Sequence, residues 1–418
     1  MSQFQKRFRR ILFCLSLTIP IATNGQVSYN INALPMGDVE ALLANTGTGG
    51  VESPGAVFYN PAALVMLKGS SFSLNGSAYM KFENKAEPVL VIADQELNYK
   101  ADGFLTIPTS IAVVKQVSKW KLAFSALVPY EANYEGPKQW TVPFETLNVN
   151  LRILQNYKER LFYAGLSAAR EIGNDWSLGT SVYWQSYSLL NVNDVAITVA
   201  ENPALLDQST ERQDVNVHNL ALIMGLQKRY ANGSIGLKVD LPSIQLSSNA
   251  EVFSYKFSNL NGPSTGSREN QVEVDAEYNQ PFSVRFGAVK NLMNNKLLIT
   301  SDISYSLNNS YRLVDLPFDD LKIDTKNSVR HSFGTQLVLS EKITLLSGFA
   351  NAWAEVDEID RHFWSATIAT KLQSEHITSS IGFFYSQENA ETPLDSGIGI
   401  TKNKSTLMGL FLGTSYRF

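Results

Sequence analysis

The 418-residue chain offers few side chains that could carry out catalysis. Its four histidines, His218, His331, His362 and His376, are scattered, and no two have the spacing of a zinc-binding HExxH helix. Positions in an aromatic girdle, a turn or a loop suit them better. Thr46 to Gly50 (TGTGG) is glycine-rich, yet it lacks the Lys-Ser/Thr with which a phosphate loop reaches its ligand, and it does not follow a strand. There is no GxSxG nucleophile elbow. An enzyme would need a serine and one of the histidines to meet in space, and the sequence singles out no such pair. The chain therefore reads as a non-enzyme with no catalytic residue, no metal ligand set and no cofactor.

Charged residues within alternating segments are the better lead, and their meaning depends on the strands that carry them. Ser71 to Phe82 alternates with period two, Phe72, Leu74, Gly76, Ala78, Met80 and Phe82 against Ser71, Ser73, Asn75, Ser77, Tyr79 and Lys81. Trp120 to Val128 and Ile377 to Tyr385 repeat the pattern. On this alternation Lys81, Lys121, Arg285, Asp302 and Arg417 point to the inner face of a closed sheet. Water or an internal segment can pair them there, whereas a Lys or Arg facing lipid at mid-depth would cost about 2 to 4 kcal/mol. They anchor such a segment to the wall, or they contact a ligand.

The first residues read as an export signal. Lys6, Arg7, Arg9 and Arg10 precede the apolar core Ile11 to Ala22, and Thr23-Asn24-Gly25 forms a small-residue cleavage site. The core is too short to span a bilayer as a helix. The single cysteine, Cys14, lies in this segment, so residues 26–418 contain neither a disulfide nor a thiolate. A net charge of -4 argues against a nucleic-acid partner. A mean hydropathy of -0.10 resembles that of a soluble protein. Membrane barrels, however, hide their apolar residues by alternation and score in the same range.

The connections carry more information than any one strand. Short turns fall at Gln116 to Ser118, Gly173 to Asp175, Ala231 to Gly233, Asn291 to Asn295, Ser340-Glu341 and Ser374 to His376. Between them lie long segments: Glu83 to Ala101, Tyr130 to Tyr157, Asn191 to Gln213, Lys256 to Glu269, Asn309 to Thr325, Ala354 to Asp360 and Gln387 to Asn403. Their alternation predicts a transmembrane antiparallel β-barrel of about fourteen strands, with both termini on the short-turn side. Pro242 and Pro281 interrupt two strands, because proline cannot donate to a ladder. The last strand, Met408 to Phe418, ends on Tyr416 and Phe418, as outer-membrane barrel strands commonly do.

Ala44 to Leu67 (ANTGTGGVESPGAVFYNPAALVML) is rich in Gly, Ala and Pro and suits a compact irregular segment buried inside such a cylinder. Asn60-Pro61-Ala62, between Phe58-Tyr59 and Ala63-Leu64, resembles the NPA motif in the hatch of FadL-type outer-membrane transporters of hydrophobic compounds. Lys119 to Tyr130 and Leu161 to Trp184 resemble a strand and a hairpin of that family. This resemblance implies an all-β barrel with an N-terminal plug inside it: a signal peptide over residues 1–25, the plug over 26–70 and the barrel over 71–418. It further implies a bacterial outer-membrane location and passive, ATP-independent inward transport of hydrophobic small molecules such as long-chain fatty acids or hydrocarbons. The partners so implied are outer-membrane lipid, a hydrophobic ligand and the barrel assembly machinery. A barrel of the same build could instead serve as a structural attachment site or shuttle for a secretion system. Candidate external capture residues are Tyr134, Trp140 and Phe144 in one long connection and Val195, Ile197, Val199, Leu205 and Leu206 in the next. Exposed apolar patches tend to mark binding surfaces, though these two segments could also pack on each other and close the mouth.

Overall fold

The structure is a computed structural model, and it describes residues 34–92, 95–144, 147–259, 263–315, 321–393 and 400–418. The expected export signal, residues 1–25, and the expected first part of the plug, residues 26–33, lie outside these residues. Strands β1 to β6 are Ser71–Ile92, Gln95–Val117, Trp120–Phe144, Leu147–Gly173, Trp176–Val199 and Asn202–Tyr230. Strands β7 to β12 are Gly233–Asp240, Ile244–Ser258, Thr265–Val274, Ser283–Leu292, Leu297–Ser306 and Asn309–Val314. Strands β13 to β18 are Leu321–Thr325, Ser328–Val338, Ile343–Val356, Ile359–Gln373, Ile377–Pro393 and Ile400–Arg417.

All pair antiparallel in one sheet, and β1 pairs with β18 from Ser71↔Arg417 to Glu87↔Lys402, so the sheet closes. The eighteen segments make fourteen staves, because four staves are each built from two segments. Thus β6 pairs with β7 through Ile223 to Tyr230 and with β8 through Asp207 to Leu220, the break falling at 241–243 beside Pro242. The next stave, β9 and β10, breaks at 275–282 around Pro281. Both prolines act as the sequence predicts. The staves β11/β12 and β13/β14 are interrupted at 307–308 and 326–327.

The long connections differ from expectation. Instead of irregular loops, most of their residues continue the strands: β3 to β6 run 25, 27, 24 and 29 residues, whereas crossing a bilayer takes about 9 to 11. Inward alternation persists through the extension, with Val149, Leu151, Ile153, Gln155, Tyr157 and Glu159 of β4 all buried. What changes is the outer face. It is apolar at Leu166 and polar at Arg152, Lys158 and Arg160, so both faces of the extension mix polar with apolar residues and the periodic signal fades.

One orientation is corrected. A bulge in β1 between Ser77 and Tyr79 shifts the pleat by one residue. Ser73, Asn75 and Ser77 face inward before it, and Met80 and Phe82 after it, so Lys81 leaves the inner face and pairs with Glu83 at 3.7 Å. Elsewhere in the lower half the outer surface is a continuous apolar band that includes Phe286, Phe349, Ile368, Ile381 and Leu412. Such a band is solvated by hydrocarbon and not by water. At the turn end the guanidinium of Arg170 lies 5.2 Å over Trp120 and the ammonium of Lys228 lies 5.3 Å over Trp176, an aromatic rim with cations toward the interface.

Ile381 is paired with Leu412 in the middle of the band and is 47% exposed. Ile381→Lys is expected to destabilise the barrel by about 2 to 4 kcal/mol in urea titrations from lipid vesicles. A value within experimental error of wild type would place this surface outside the membrane.

Candidate functional site

The plug fills the barrel between Leu34 and Ser70, with a 3-10 turn at Glu40–Leu43, a helical turn at Ala56–Tyr59 and a 3-10 helix at Pro61–Met66. Its local structure follows from Asn60. That residue is extended and caps the last helix, its Oδ1 accepting from the Ala62 amide at 3.1 Å, while Pro61 at the first helical position lacks the amide that would otherwise be orphaned. The Asn60 Nδ2 donates to the plug carbonyl of Thr48 at 2.7 Å and to the wall carbonyl of Leu226 at 3.2 Å. One amide thereby locks two plug segments to each other and to β6. Ala62 is small because the wall stands against it: a Cβ at Gly179 would fall on the Pro61–Ala62 backbone, and one at Gly225 on Asn60 Oδ1.

Further ties run around the barrel. Asp302 Oδ2 accepts from the amides of Gly47 and Thr48, both at 3.0 Å, and Arg285 donates to the Asn45 carbonyl at 3.4 Å. Ser181 and Tyr183 donate to the Val57 carbonyl at 2.7 and 2.9 Å, and Gln227 to that of Gly49 at 3.1 Å. Thr367 donates to the Leu42 carbonyl at 2.8 Å and Ser380 to that of Asp38 at 3.0 Å. Lys121 donates to the Gly69 carbonyl at 2.7 Å, and Arg417 pairs with Glu52 at 3.4 Å. Of the charges placed inward from sequence, Lys121, Arg285, Asp302 and Arg417 therefore contact the plug, and Lys81 does not. With each bond worth a net ~1 kcal/mol, about ten of them make expulsion of the whole plug costly while leaving local shifts accessible.

Above the plug the lumen has two characters. Over β1 to β6 aliphatic residues and tyrosines with satisfied hydroxyls, such as Tyr163 donating to Gln280 at 2.7 Å, predominate, interrupted by buried polar groups that include Glu131, Gln155, Glu159 and Gln185. Rings cluster beside and beyond Phe58: Phe58–Tyr163 at 6.1 Å and Tyr163–Tyr183 stacked at 5.4 Å, with Tyr187–Tyr278 stacked at 4.2 Å farther from the short turns. On the other side a cavity lies between Phe58 and the wall, lined by Lys238, Asp240, Arg285, Arg330 and several serines. There Lys238 sits 4.2 Å over the Phe58 ring and 2.9 Å from Asp240. The lumen is thus neither a uniformly apolar tube nor one filled with polar contacts.

The expected capture residues lie on strand extensions. Tyr134 is buried and stacks on Tyr157 at 5.0 Å, and Ile197 and Val199 are buried, while Trp140, Val195, Leu205 and Leu206 are half-buried. Phe144 ends β3. Sequence reasoning missed Asp38, Glu40 and Ser53, a buried polar group inside the plug, because no periodicity marks them. Burial, and after it the Asp38 charge, push the Glu40 carboxyl up to about 8.

The wall also has a gap. Strands β2 and β3 pair at Asp102↔Glu135 and again from Ser110↔Leu127, with no paired residues between. Val128 and Pro129 form a bulge there, Thr109 Oγ1 has no hydrogen-bond partner among the described residues, and the plug's first described residue, Leu34, donates to the Pro129 carbonyl at 3.3 Å.

No protein-family model and no curated protein matches the sequence. Solved structures do. A toluene transporter of Pseudomonas putida, TodX, aligns with a TM-score of 0.65 and 14% identity over 92% of this chain and 98% of its own. A FadL homologue of Pseudomonas aeruginosa aligns at 0.59 and 14% identity over 92% and 100%, and the toluene transporter TbuX of Ralstonia pickettii at 0.56 and 13% over 93% and 100%. At these identities the likeness is one of fold, and the chain has the fold of FadL-type transporters.

Replacing Asn60 by Ala strands the Thr48 carbonyl and the Ala62 amide and removes the plug's bond to the Leu226 carbonyl, a loss of about 1 to 3 kcal/mol. Asn60→Ala should leave the heat-modifiable folded barrel undiminished and raise ion conductance in planar bilayers. Wild-type conductance with normal assembly would reduce Asn60 to a turn residue.

Proposed function

We propose that this protein is a passive outer-membrane channel for small hydrophobic molecules, in which the plug remains a fixed floor and cargo leaves sideways through the β2–β3 gap. The observation that carries this reading is the conjunction of a many-point plug attachment with an unpaired stretch of wall where the plug begins. The fold shared with proteins described as toluene transporters and as a FadL homologue supports the same class of cargo and the same membrane. Chemistry at the site would be binding and release without bond-making, beside tyrosines whose satisfied hydroxyls need no water.

The break at 275–282 is a poorer exit. Its backbone is held by side chains: Asn219 donates to the Tyr278 carbonyl at 2.7 Å, Gln245 to that of Ala276 at 3.0 Å and Asn309 to that of Asn279 at 2.6 Å. Opening it would strand several buried polar groups, whereas the β2–β3 gap has few bonds to lose. On this reading residues 1–25 direct export and residues 26–70 form the plug. Phe418 and the last strand would present the chain to the barrel assembly machinery.

The test is uptake of a labelled hydrophobic compound into cells or proteoliposomes. Pro129→Val gives position 129 an amide for the ladder while keeping the carbonyl that Leu34 uses, so the gap narrows. Uptake is expected to fall several-fold with assembly and basal conductance unchanged. Full uptake in this variant would remove the lateral route, and a wild-type protein that speeds no hydrophobic uptake would remove the function.

A further inference from the structure

The hydroxyl of Ser53 sits between two buried carboxyl groups. It contacts Asp38 Oδ1 in a short hydrogen bond and Glu40 Oε2 at 2.6 Å, and it accepts from the Gly55 amide at 3.1 Å. A serine hydroxyl has one proton to give and two lone pairs to fill. With the amide taking one lone pair, the Oγ can donate to only one carboxyl, so the other must bring its own proton.

The proton belongs on Glu40. Glu40 is fully buried, and its Oε1 has no hydrogen-bond partner among the described residues; that is tolerable for a neutral carbonyl oxygen and costly for an anion. The raised affinity for a proton noted above has the same cause. Glu40 also has no room to turn away, because a Cβ at Gly37, Gly47 or Gly55 would press on its side chain. Other charged or titratable groups face the cluster. Lys371 of β16 acts on Asp38 and Glu52, Glu52 is paired with Arg417 of β18, and Tyr59 lies near Glu40 with Arg285 of β10 and Arg330 of β14 beyond it.

We propose that Asp38, Ser53 and Glu40 form a proton-operated latch that holds the plug loop 37–55 shut while one proton is shared, and loosens it when that proton is lost. Loss puts two carboxylates on one hydroxyl. The strain falls on the segment that carries the contacts to Arg285 and Asp302, since the Asn45 amide donates to the Glu40 carbonyl at 2.9 Å and Gly47 follows two residues on. The sign follows from linkage. Glu40 in a released, hydrated loop would titrate near its ordinary 4.5, and in the docked loop near 8. The docked form therefore binds the extra proton and has its full advantage below 4.5. That advantage is lost as pH rises to about 8, the ratio of released to docked loop climbing about tenfold per pH unit while the rest of the plug stays moored.

This inference rests on the plug as the closure of the barrel but not on any cargo, so two cargo-free readouts test it. Infrared difference spectroscopy of the reconstituted protein should show at pH 7 a protonated-carboxyl band that titrates near pH 8 and is absent in Glu40→Gln. Planar-bilayer conductance should rise with pH between 6 and 8 and level off above that range. In Glu40→Gln, whose amide keeps a donor to Ser53, it should stay low and flat. Absence of the band in wild type, a flat wild-type conductance, or a Glu40→Gln variant that keeps the rise would each overturn the latch. Should Glu40→Gln fail to assemble, the two wild-type titrations decide alone. None of these failures touches the transport reading, which is decided by uptake.

Discussion

A backbone in hydrocarbon has no water to bond, and the rest of this structure follows from that constraint. It forces β1 to meet β18, so the sheet has no terminal edge, and it makes the incomplete β2–β3 ladder the exception in the wall. It also decides where irregular chain is permitted. The plug, with its glycines and short turns, is tolerable only inside the cylinder, where Ser181, Gln227, Arg285, Asp302, Thr367 and Ser380 bond the groups that a ladder would otherwise serve. The proline breaks obey the same rule, and at 275–282 side-chain amides stand in for strand partners.

From that constraint the division of labour in the lumen is intelligible. Polar wall residues cluster where the plug needs donors and acceptors, so the charged residues on β10 and β11 act as moorings. The tyrosine and aliphatic lining lies over β1 to β6, on the side where the β2–β3 ladder is incomplete. On the proposed reading a hydrophobic guest and the weakest part of the wall would lie on the same side, and the floor would not have to leave for the guest to do so.

Much of this was legible in the sequence. The six short turns fix the staves, since Gly, Asn and Ser at those points end strands for local conformational reasons, and Pro242 and Pro281 mark the breaks because a missing amide is a property of the residue alone. Asn60 was legible as a pivot through its motif, but not its bond to Leu226, which depends on β6 standing opposite. The bulge that turns Lys81 outward leaves no mark in the alternation, because Ala78 and Tyr79 fit either face. The long strand extensions were hidden because their outer face turns polar where lipid gives way to water. The Asp38–Ser53–Glu40 cluster was hidden because buried carboxyls in an irregular segment are indistinguishable, one residue at a time, from solvated ones.

The central claim is that the plug stays moored while cargo passes beside it. Hydrogen exchange of residues 34–70 in proteoliposomes, followed with and without a transported hydrophobic compound, tests it most directly. The account predicts that the amides of Gly47, Thr48 and Ala62 keep their protection during transport, while exchange quickens at Leu34 beside the β2–β3 gap. Cargo-dependent loss of protection across the whole plug would mean that the floor itself moves, and would contradict the account.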